Sequence, residues 1–343
     1  MRIALDALGG DYGVKPNILG AIKATRDFGC EVILVGDEVK INEELKQHSF
    51  DPAKITVVHA PEMIDMEASP ALEYRRKKNA SIVVCAKLVK EGKADVMISA
   101  GNSGATMVAA LFGLGRIKGV SRPAIASPMP TQTGFALIVD AGANADCDAV
   151  NLLQFGVLGS VYYKHIYGKP NATVGLLSIG EEEGKGNLLI KETSKHIRKL
   201  GLNYYGNIEG RDIHTGMIDI VVCDGFVGNI VLKTSEGLAK SLFKMIKSNL
   251  KGKHLAMLGM LMAKPALMKV KEVTDPDTFG GAPLLGVNGN VIISHGKSNE
   301  KAIYCAIYCA IKAGIKTVES KALKAMEEAI AAHKAVFDEA EGK

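Results

Sequence analysis

Hydrophobic residues recur along the chain in short runs, and five of these runs end at a loop rich in Gly, Asn, Ser or Asp. They are residues 2–5 before DALGGD, 96–99 before GNSGAT, 175–179 before GEEEGKGN, 218–222 before CDGFVGN, and 291–293 before SHGKSN. The pattern is typical of parallel strands buried on both faces, with loops at their carboxyl ends. Glycines there let backbone N–H groups approach a ligand, and a following helix adds partial positive charge. The pattern therefore predicts a site for phosphate or a similar anion.

Strand-like and helix-like segments alternate almost to the end of the chain. This alternation predicts a three-layer α/β/α, Rossmann-like fold around a mostly parallel sheet. No linker or repeat interrupts it, so we expect a single α/β domain over residues 1–343. The predicted strands are residues 3–6, 31–35, 55–59, 94–99, 124–128, 135–140, 174–179, 203–208, 218–223 and 291–294. The predicted helices are residues 16–28, 69–91, 103–114, 146–166 and 188–200, a helix from near Asn229, and residues 298 onward.

Residues 274–289 are the one long stretch with neither pattern, and we interpret this glycine-rich segment as an irregular functional loop. The preceding segment predicts a projecting helical hairpin at about residues 236–272. Pro265 is expected to break or kink its second helix. Residues 255–263 form an uncharged run, which is flanked by Lys251, Lys253, Lys264, Lys269 and Lys271.

Leu255, Leu258 and Met262 share one helical face of this run, with Leu261 beside them. The segment is also rich in methionine, with five of the 13 in the chain at residues 245–268. One interpretation is packing in the core or against a second copy, because methionine fills irregular gaps. The other is a short basic amphipathic helix that touches a membrane. The spacing alone leaves both open.

Composition and charge narrow the classes of function. The 343 residues are 47% hydrophobic and carry 42 Lys+Arg against 37 Asp+Glu, a net charge of +5. This mild excess is too weak to favour nucleic acid, but it is compatible with an acidic partner or an anionic membrane surface. Met1 leads directly into a strand-like run without a signal peptide, and no uncharged apolar stretch approaches the roughly 18 residues of a spanning helix. Six scattered cysteines predict reduced thiols in a cytoplasmic protein.

The loop GEEEGKGN carries the most informative candidate residue, Lys185. The loop is not a nucleotide-binding P-loop, because only three residues separate its first Gly from the Gly-Lys pair and Gly186 stands where Ser or Thr would bind magnesium. A lysine between two glycines after a strand can still bind an anion as a point charge. An exposed lysine in a flexible turn is an equally good interpretation.

Three other loops offer polar side chains, each with a structural alternative. Asn102 and Ser103 of GNSGAT are suited either to an anion or to ordinary helix capping. Asp224 and Asn229 either orient a substrate or stabilise their turn. His295 is suited to general-base chemistry, and a structural histidine explains it equally well.

Other chemistries are disfavoured. Neither GGDYG nor GNSGAT matches the GxGxxG dinucleotide fingerprint, and no dense His/Asp/Glu group predicts a metal. Cys305 and Cys309 favour core packing over metal binding. Cys223 has no histidine close in sequence, so an inert buried thiol is favoured over a nucleophile. We therefore expect no cofactor and no metal.

Six strings in order resemble the signatures of the PlsX family of phosphate acyltransferases in bacterial phospholipid synthesis. They are DALGGD, AGNSGAT, GLLSIGEEEGKGN, CDGFVGN, FGGAPLLGVNG and SHGKS, and they extend from Asp6 to Ser298, nearly the whole chain. Leu8 departs from the family, which more often has Met there, and both residues are apolar. Each string is weak evidence alone, whereas all six in this order are specific.

The resemblance implies transfer of a long-chain acyl group from acyl-[acyl-carrier-protein] to inorganic phosphate. The acyl phosphate product would feed a membrane glycerol-3-phosphate acyltransferase, which is a further candidate partner. The resemblance also implies a homodimer and a fold similar to phosphate acetyltransferases and isopropylmalate-type dehydrogenases. It places the protein in the cytoplasm, peripherally associated with the inner face of the cell membrane, and it implies no nucleic acid partner.

The implied reaction needs an anion pocket, an oxyanion site and an apolar path. We expect Lys185, Asn229 and His295 to be catalytic. The expected phosphate-binding residues are Gly101, Asn102, Ser103, Gly104, Gly184, Gly186 and Asn187. The expected substrate-binding residues are Asp6, Gly9, Asp224, Gly228, Leu284 and Leu285, and the expected membrane contacts are Leu255, Leu258, Leu261 and Met262.

Two alternatives remain open. One is a neighbouring enzyme, either a phosphate acetyltransferase-like protein using acyl-CoA or a decarboxylating dehydrogenase. The dehydrogenase would need an Asp cluster for a divalent metal and arginines for two carboxylates, whereas Arg75-Arg76 is the only adjacent arginine pair. The other alternative is a non-catalytic membrane-associated scaffold.

Overall fold

One eleven-stranded sheet forms the centre of the computed structural model, which describes residues 1–65 and 69–342. Its strands in chain order are β1 (Arg2–Asp6), β2 (Glu31–Gly36), β3 (Ile55–His59), β4 (Val96–Ser99), β5 (Ala124–Thr131), β6 (Gly134–Val139), β7 (Val174–Leu177), β8 (Tyr204–Ile208), β9 (Ile220–Val222), β10 (Ala282–Leu285) and β11 (Asn290–Ile293). Their order across the sheet is β3-β2-β1-β4-β11-β10-β5-β6-β9-β7-β8.

Helices cover both faces of the sheet. They are α1 (Val14–Phe28), α2 (Glu38–Leu45), α3 (Pro70–Arg76), α4 (Ser81–Lys90), α5 (Ser103–Gly113), α6 (Ala149–Tyr167), α7 (Leu188–Ile197), α8 (Gly225–Leu250), α9 (His254–Thr274), α10 (Pro276–Phe279), α11 (Glu300–Ser320), α12 (Ala322–Ala332) and α13 (Lys334–Ala340). Short 3₁₀ helices lie at Arg198–Leu200 and Asp212–His214.

The core has an apolar cluster on each side of the sheet. Ile138 of β6 joins the cluster under α4, α5 and the start of α8, whereas Leu137 and Val139 join the cluster under α6 and α12. This alternation follows from the two-residue period of a strand. A third cluster packs α1 and α11 against β1, β2 and β4. The result confirms the predicted three-layer α/β/α fold with a mostly parallel sheet.

The sheet contains two groups of parallel strands that run in opposite directions. β1 pairs in parallel with β2 and β4, and β4 pairs in parallel with β11. β10 is antiparallel to β11 and β5, and β5 and β6 form an antiparallel hairpin. β6, β9, β7 and β8 are then parallel to one another. The carboxyl ends of β1, β4 and β11 therefore lie at one edge of the sheet, and those of β6, β9 and β7 at the other.

Three elements differ from the sequence predictions. The predicted irregular stretch at residues 274–289 contains α10 and β10, and β10 is held by pairing on both sides despite Pro283 and the glycines around it. The predicted helix over 69–91 is two helices, because Ala80 is extended and the Ser81 N–H donates to the Glu62 carbonyl. The short helix α2, capped by Asp37, was not predicted, since only Ile41 and Leu45 of its eight residues are buried.

α8 and α9 form a hairpin that extends away from the sheet. Only Gly225 and Gly228 of α8 are buried, and no residue of α9 is. Pro265 lies inside α9 and does not end it. Because this helix is exposed to solvent, water can bond the carbonyl group that proline leaves without a donor. None of the helices within residues 1–65 and 69–342 is long and apolar enough to cross a membrane.

The single-domain prediction over residues 1–343 also covers residues 66–68 and 343, which lie outside the described residues. It stays a prediction.

Candidate functional site

The loops that follow β1, β4 and β11 meet at one edge of the sheet, and we call residues 6–11, 99–106 and 294–298 the first loop cluster. Its centre is the buried carboxylate of Asp6. This group accepts the backbone N–H groups of Leu8 and Gly9 at 3.2 and 3.1 Å, and the Ser99 hydroxyl at 2.7 Å. Burial raises the pKa of Asp6, although the hydroxyl and amide donors oppose the rise. Asp6 therefore ties the β1 loop to the end of β4.

Close backbone contacts complete this cluster. Gly9 has no room for a side chain, since a Cβ would lie 2.8 Å from both the Asp6 carboxylate and the Gly101 nitrogen. Asp11 N–H donates to the Gly296 carbonyl at 2.8 Å, which joins the β1 and β11 loops. Asn102 caps α5 by accepting the Ala105 N–H at 3.0 Å. A small pocket opens beside these loops, lined by Asp6, Gly9, Met63, Ile64, Ser81, Ser99, Gly101, Asn102 and Thr106 among others.

His295 is exposed at the rim of the first loop cluster, and its Nδ1 accepts the Lys297 N–H at 3.1 Å. Desolvation is the main cause that lowers the pKa of His295, and the positive charge of Lys233 on α8 lowers this pKa further. The imidazole is therefore neutral near neutral pH and able to accept a proton.

The loops after β6, β9 and β7 form the second loop cluster, residues 140–144, 178–187 and 223–229. Asp140 has the role here that Asp6 has in the first cluster. Its carboxylate accepts the backbone N–H groups of Ile125, Ala143 and Asn144 at 2.9, 3.0 and 2.7 Å. Burial raises the pKa of Asp140, although these hydrogen bonds oppose the rise. The Asn144 carbonyl then accepts the Gly225 N–H at 2.8 Å, which fixes the start of α8.

The first turn of α8 packs directly on this loop. Asp224 caps the helix by accepting the Val227 N–H at 2.9 Å. Gly228 faces the backbone of Asp140 so closely that a Cβ would lie 1.9 Å from the carbonyl oxygen. Asn229 is exposed in the same turn, and a Cβ on Gly142 would lie 3.5 Å from the Cβ of Asn229. The helix N-terminus is thus held in place while Asn229 remains accessible.

Lys185 lies exposed in the loop between β7 and α7. The loop is anchored by Asn207 of β8, whose side chain donates to the Glu182 carbonyl at 3.1 Å. Asn187 caps α7 by accepting the Ile190 N–H at 3.0 Å. Two of the three loop glutamates are paired, Glu183 with Arg198 at 2.5 Å and Glu181 with Arg211 at 3.6 Å. Across the described residues no ion pair engages Lys185, so its charge is available to an anion.

The structure divides the predicted site residues between these clusters. The first cluster brings together Asp6, Gly9, Gly101, Asn102, Ser103, Gly104 and His295, and the second brings together Gly184, Lys185, Gly186, Asn187, Asp224, Gly228 and Asn229. β9 lies between β6 and β7, so the loops of the second cluster are neighbours. Leu284 and Leu285 lie in β10 and are each 4% exposed, packed in the core on opposite faces of the sheet. Leu255, Leu258, Leu261 and Met262 are all exposed on α9.

Sequence reasoning missed Asp140 and Asn144, which organise the second cluster. A signal was present, because DAGANAD after β6 repeats the Asp-Ala-loop-Asp pattern of DALGGD after β1. It also missed Ser178, whose hydroxyl is buried without a hydrogen-bond partner and lies beside Gly186. No sequence pattern marks that residue.

The cysteines are all free thiols. Cys223 is buried, and burial raises its pKa well above the ordinary value. The pKa of Cys147 is raised to about 12, again mainly by burial. Thiols with raised pKa values are poor nucleophiles at neutral pH. Within the described ranges no group of three or more His, Cys, Asp or Glu side chains is arranged to hold a metal ion.

Known proteins resemble the chain over almost its full length. The sequence profile of the family described as "Fatty acid synthesis protein" matches residues 1–321. A protein named "Phosphate acyltransferase" from Elusimicrobium minutum is 54% identical over 344 residues, covering 100% of both chains. The chain belongs to the fatty acid synthesis protein family. It is an acyltransferase, since its curated relatives carry that name.

Solved structures agree with the fold. A phosphotransacetylase from Streptococcus pyogenes superimposes with a TM-score of 0.59 at 20% identity, covering 91% of this chain and 94% of its own. A 4-hydroxythreonine-4-phosphate dehydrogenase from Klebsiella pneumoniae gives a TM-score of 0.56 at 13% identity, covering 92% and 99%. These similarities confirm the predicted likeness to phosphate acetyltransferase and dehydrogenase folds.

The contact between Gly228 and Asp140 predicts a stability effect with an internal control. Gly228→Ala should lower the free energy of unfolding by about 1–3 kcal/mol, because the new methyl group cannot fit without moving the Asp140 backbone. Gly237→Ala lies in the same helix with open space around it and should raise stability by about 0.5–1 kcal/mol. Urea titration followed by circular dichroism measures both. Equal effects of the two substitutions would contradict the packing described here.

Proposed function

We propose that the protein transfers a long-chain acyl group from the thioester of acyl-[acyl-carrier-protein] to inorganic phosphate. The acyl phosphate product would serve phospholipid synthesis. The observation that carries the proposal is Lys185, which is exposed in a glycine loop before α7 and has no ion-pair partner among the described residues. A cation beside the N-terminus of a helix suits a phosphate group. The relatives' name, "Phosphate acyltransferase", supports phosphate as the acceptor.

The reaction can proceed without a covalent enzyme intermediate. A phosphate oxygen attacks the thioester carbonyl carbon, and the carbonyl oxygen becomes an oxyanion. The tetrahedral intermediate then collapses, the C–S bond breaks, and the thiolate leaves to take up a proton. In this proposal Lys185 and the amides of Gly184, Gly186 and Asn187 hold phosphate, and Asn229 stabilises the oxyanion. Positioning and preorganised donors supply the catalysis.

The role of the first loop cluster is the open part of this assignment. The segment Gly101–Gly104 at the start of α5 also offers backbone amides to an anion, and neutral His295 can exchange a proton. The carbonyl carbon of the donor must lie within about 3–3.5 Å of the attacking phosphate oxygen, so both substrates have to meet at the same cluster. Asp6 and Gly9 bind the donor if that cluster is the first one, whereas Leu284 and Leu285 are packed in the core on opposite faces of the sheet. Because the two clusters lie at opposite sheet edges, variants in each cluster decide which one holds phosphate.

The first test compares the clusters. Lys185→Ala and Asn229→Ala should each lower kcat/KM by about 100-fold, because each removes one preorganised donor. Initial rates at varied phosphate concentration, with circular dichroism to verify folding, measure the effect. Asn102→Ala serves as the comparison in the first cluster. If Asn102→Ala alone weakens phosphate dependence, phosphate belongs to the first cluster, and the Lys185 assignment is wrong.

The second test addresses the direct attack. Cys223→Ala should retain most of the turnover, since the buried thiol has a raised pKa and no role in the mechanism. Mass spectrometry of enzyme incubated with acyl carrier thioester, but without phosphate, should find only the unmodified chain. An acyl-cysteine adduct that disappears when phosphate is added would establish a covalent route instead.

An assay with both acyl-CoA and carrier-bound thioester distinguishes the proposed enzyme from a phosphate acetyltransferase-like enzyme and from a non-catalytic scaffold. An enzyme that consumes acyl-CoA in preference to carrier-bound thioester would be phosphate acetyltransferase-like. A protein that consumes neither in a phosphate-dependent way would be a scaffold. The family and its curated relatives favour an enzyme, and the unpaired Lys185 favours an anionic acceptor.

The proposal includes a homodimer that associates peripherally with the inner face of the cell membrane, where a glycerol-3-phosphate acyltransferase would use the product. The support is the hairpin, whose tip exposes Leu255, Leu258, Leu261 and Met262 at 87%, 58%, 64% and 80%. An uncharged run too short to span, with lysines on both sides, suits an interfacial helix. The methionine-rich surface equally suits a partner subunit, so the test must distinguish the two.

Substituting both Leu258 and Leu261 with Glu should release the protein from anionic liposomes, because it places charge in the apolar contact. Co-sedimentation measures binding. Salt should weaken the binding of the unmodified protein only in part, since the apolar contribution persists. Val39→Glu with Leu72→Glu makes the same charge change at exposed apolar positions outside the hairpin and should still bind. Loss of the dimer with retained liposome binding would assign the surface to subunit packing.

A further inference from the structure

The net positive charge of the chain is concentrated in the hairpin. Residues 225–274 hold nine of the 42 Lys+Arg and two of the 37 Asp+Glu, so this segment has a net charge of +7 and the remainder −2. The charge is thus concentrated on a projecting element, while the body of the protein is slightly acidic. A concentrated positive surface attracts an anionic partner and accelerates its association.

Within α8 the positive charge forms one line. Lys233, Lys240, Lys244 and Lys247 are separated by 7, 4 and 3 residues. At 100° per residue they fall within about 60° of one another, over about 21 Å of helix. We call these four residues the lysine stripe. All four are exposed, and only Lys233 has an ion-pair partner among the described residues, Glu236 at 3.2 Å.

Lys233 follows Asn229 by four residues, so the two lie one turn apart on the same face of α8. The stripe therefore begins next to the candidate site at the start of α8. Lys233 and Lys240 are near enough to His295 that their charges help to lower its pKa, after the larger effect of desolvation. Lys297, next to His295 in the loop, extends the positive surface. A partner lying on the stripe would therefore have one end at a candidate substrate site. This continuity distinguishes the stripe from lysines scattered over a solvated surface.

Beyond Lys233, the exposed apolar residues of α8 lie on the other side of the helix. Leu238, Leu242, Met245 and Ile246 are 59%, 49%, 58% and 40% exposed. Their positions lie about 120–220° around the helix axis from Lys233. A lipid surface or second subunit that covers this apolar side leaves the stripe directed away from it. The stripe thus suits a partner that is strongly acidic and does not need an apolar contact.

We propose that the lysine stripe is the docking surface for an acidic protein that carries the acyl thioester. The proposal rests on the proposed function, because only a protein-bound donor needs a docking surface. Acidic side chains on the carrier would pair with the exposed lysines and orient the thioester toward Asn229, the oxyanion donor of the proposed mechanism. Contacts of this type mainly change association and its salt dependence.

The test is a double charge reversal, Lys244→Glu with Lys247→Glu. We measure kcat/KM for an acyl-[acyl-carrier-protein] and for the corresponding acyl-pantetheine, which has the same thioester without the acidic protein. The ratio of the two values should fall about tenfold, through a higher KM for the carrier-bound donor. Raising the salt concentration should lower the ratio in the unmodified enzyme and have little effect in the variant. Lys87→Glu with Lys90→Glu, three residues apart on α4, is the matched control and should keep the ratio.

The possible outcomes distinguish failure of the docking surface from failure of the proposed acyltransferase function. An unmodified enzyme that consumes the carrier thioester, together with an unchanged ratio in the variant, overturns the docking surface alone. An equal fall in the α4 control also overturns it, because net charge would then be the cause. If the variant keeps its ratio but no longer sediments with anionic vesicles, the stripe contacts lipid and the proposal is wrong. If the unmodified enzyme consumes no carrier thioester, the proposed function fails, and the docking surface with it.

Discussion

Two buried carboxylates hold the loops on which the rest of this structure depends. Asp6 and Asp140 each follow a strand directly and have almost no exposed surface. Removing a charge from water is costly unless it is hydrogen-bonded, so each carboxylate is bound by several backbone N–H groups. These bonds force the following chain into a tight loop. The loop in turn determines where the next glycine-rich segment can pack, which is the Gly101 turn in one case and the start of α8 in the other.

The reversal of strand direction at the centre of the sheet determines how these loops are distributed. β10 and the β5–β6 hairpin are the antiparallel elements, and beyond them the parallel strands run the other way. Two similar arrangements of carboxylate, glycine loop and helix start are consequently built at opposite edges. α8 begins against Asp140 and packs on β5 and β6.

The hairpin separates two kinds of surface on one projecting element. Lysines line one side of α8, and exposed leucine, isoleucine and methionine line the other. A soluble protein rarely exposes this much apolar area without a partner. The separation allows an acidic partner and an apolar partner to be engaged together without competition for the same side chains. Such an arrangement suits the acyl donor and the membrane contact proposed above.

The sequence by itself determined the fold class, most strands and helices, and the polar loops at strand ends, because these features follow from local hydrophobic periodicity and turn chemistry. The sequence did not reveal β10, since a strand of four residues containing Pro283 is stabilised by its neighbours and not by its own propensity. It did not reveal that Lys185 and Gly101–Gly104 lie in different clusters. Periodicity identifies a strand but carries no information about its direction in the sheet, and only the tertiary pairing of β10, β5 and β6 decides that direction.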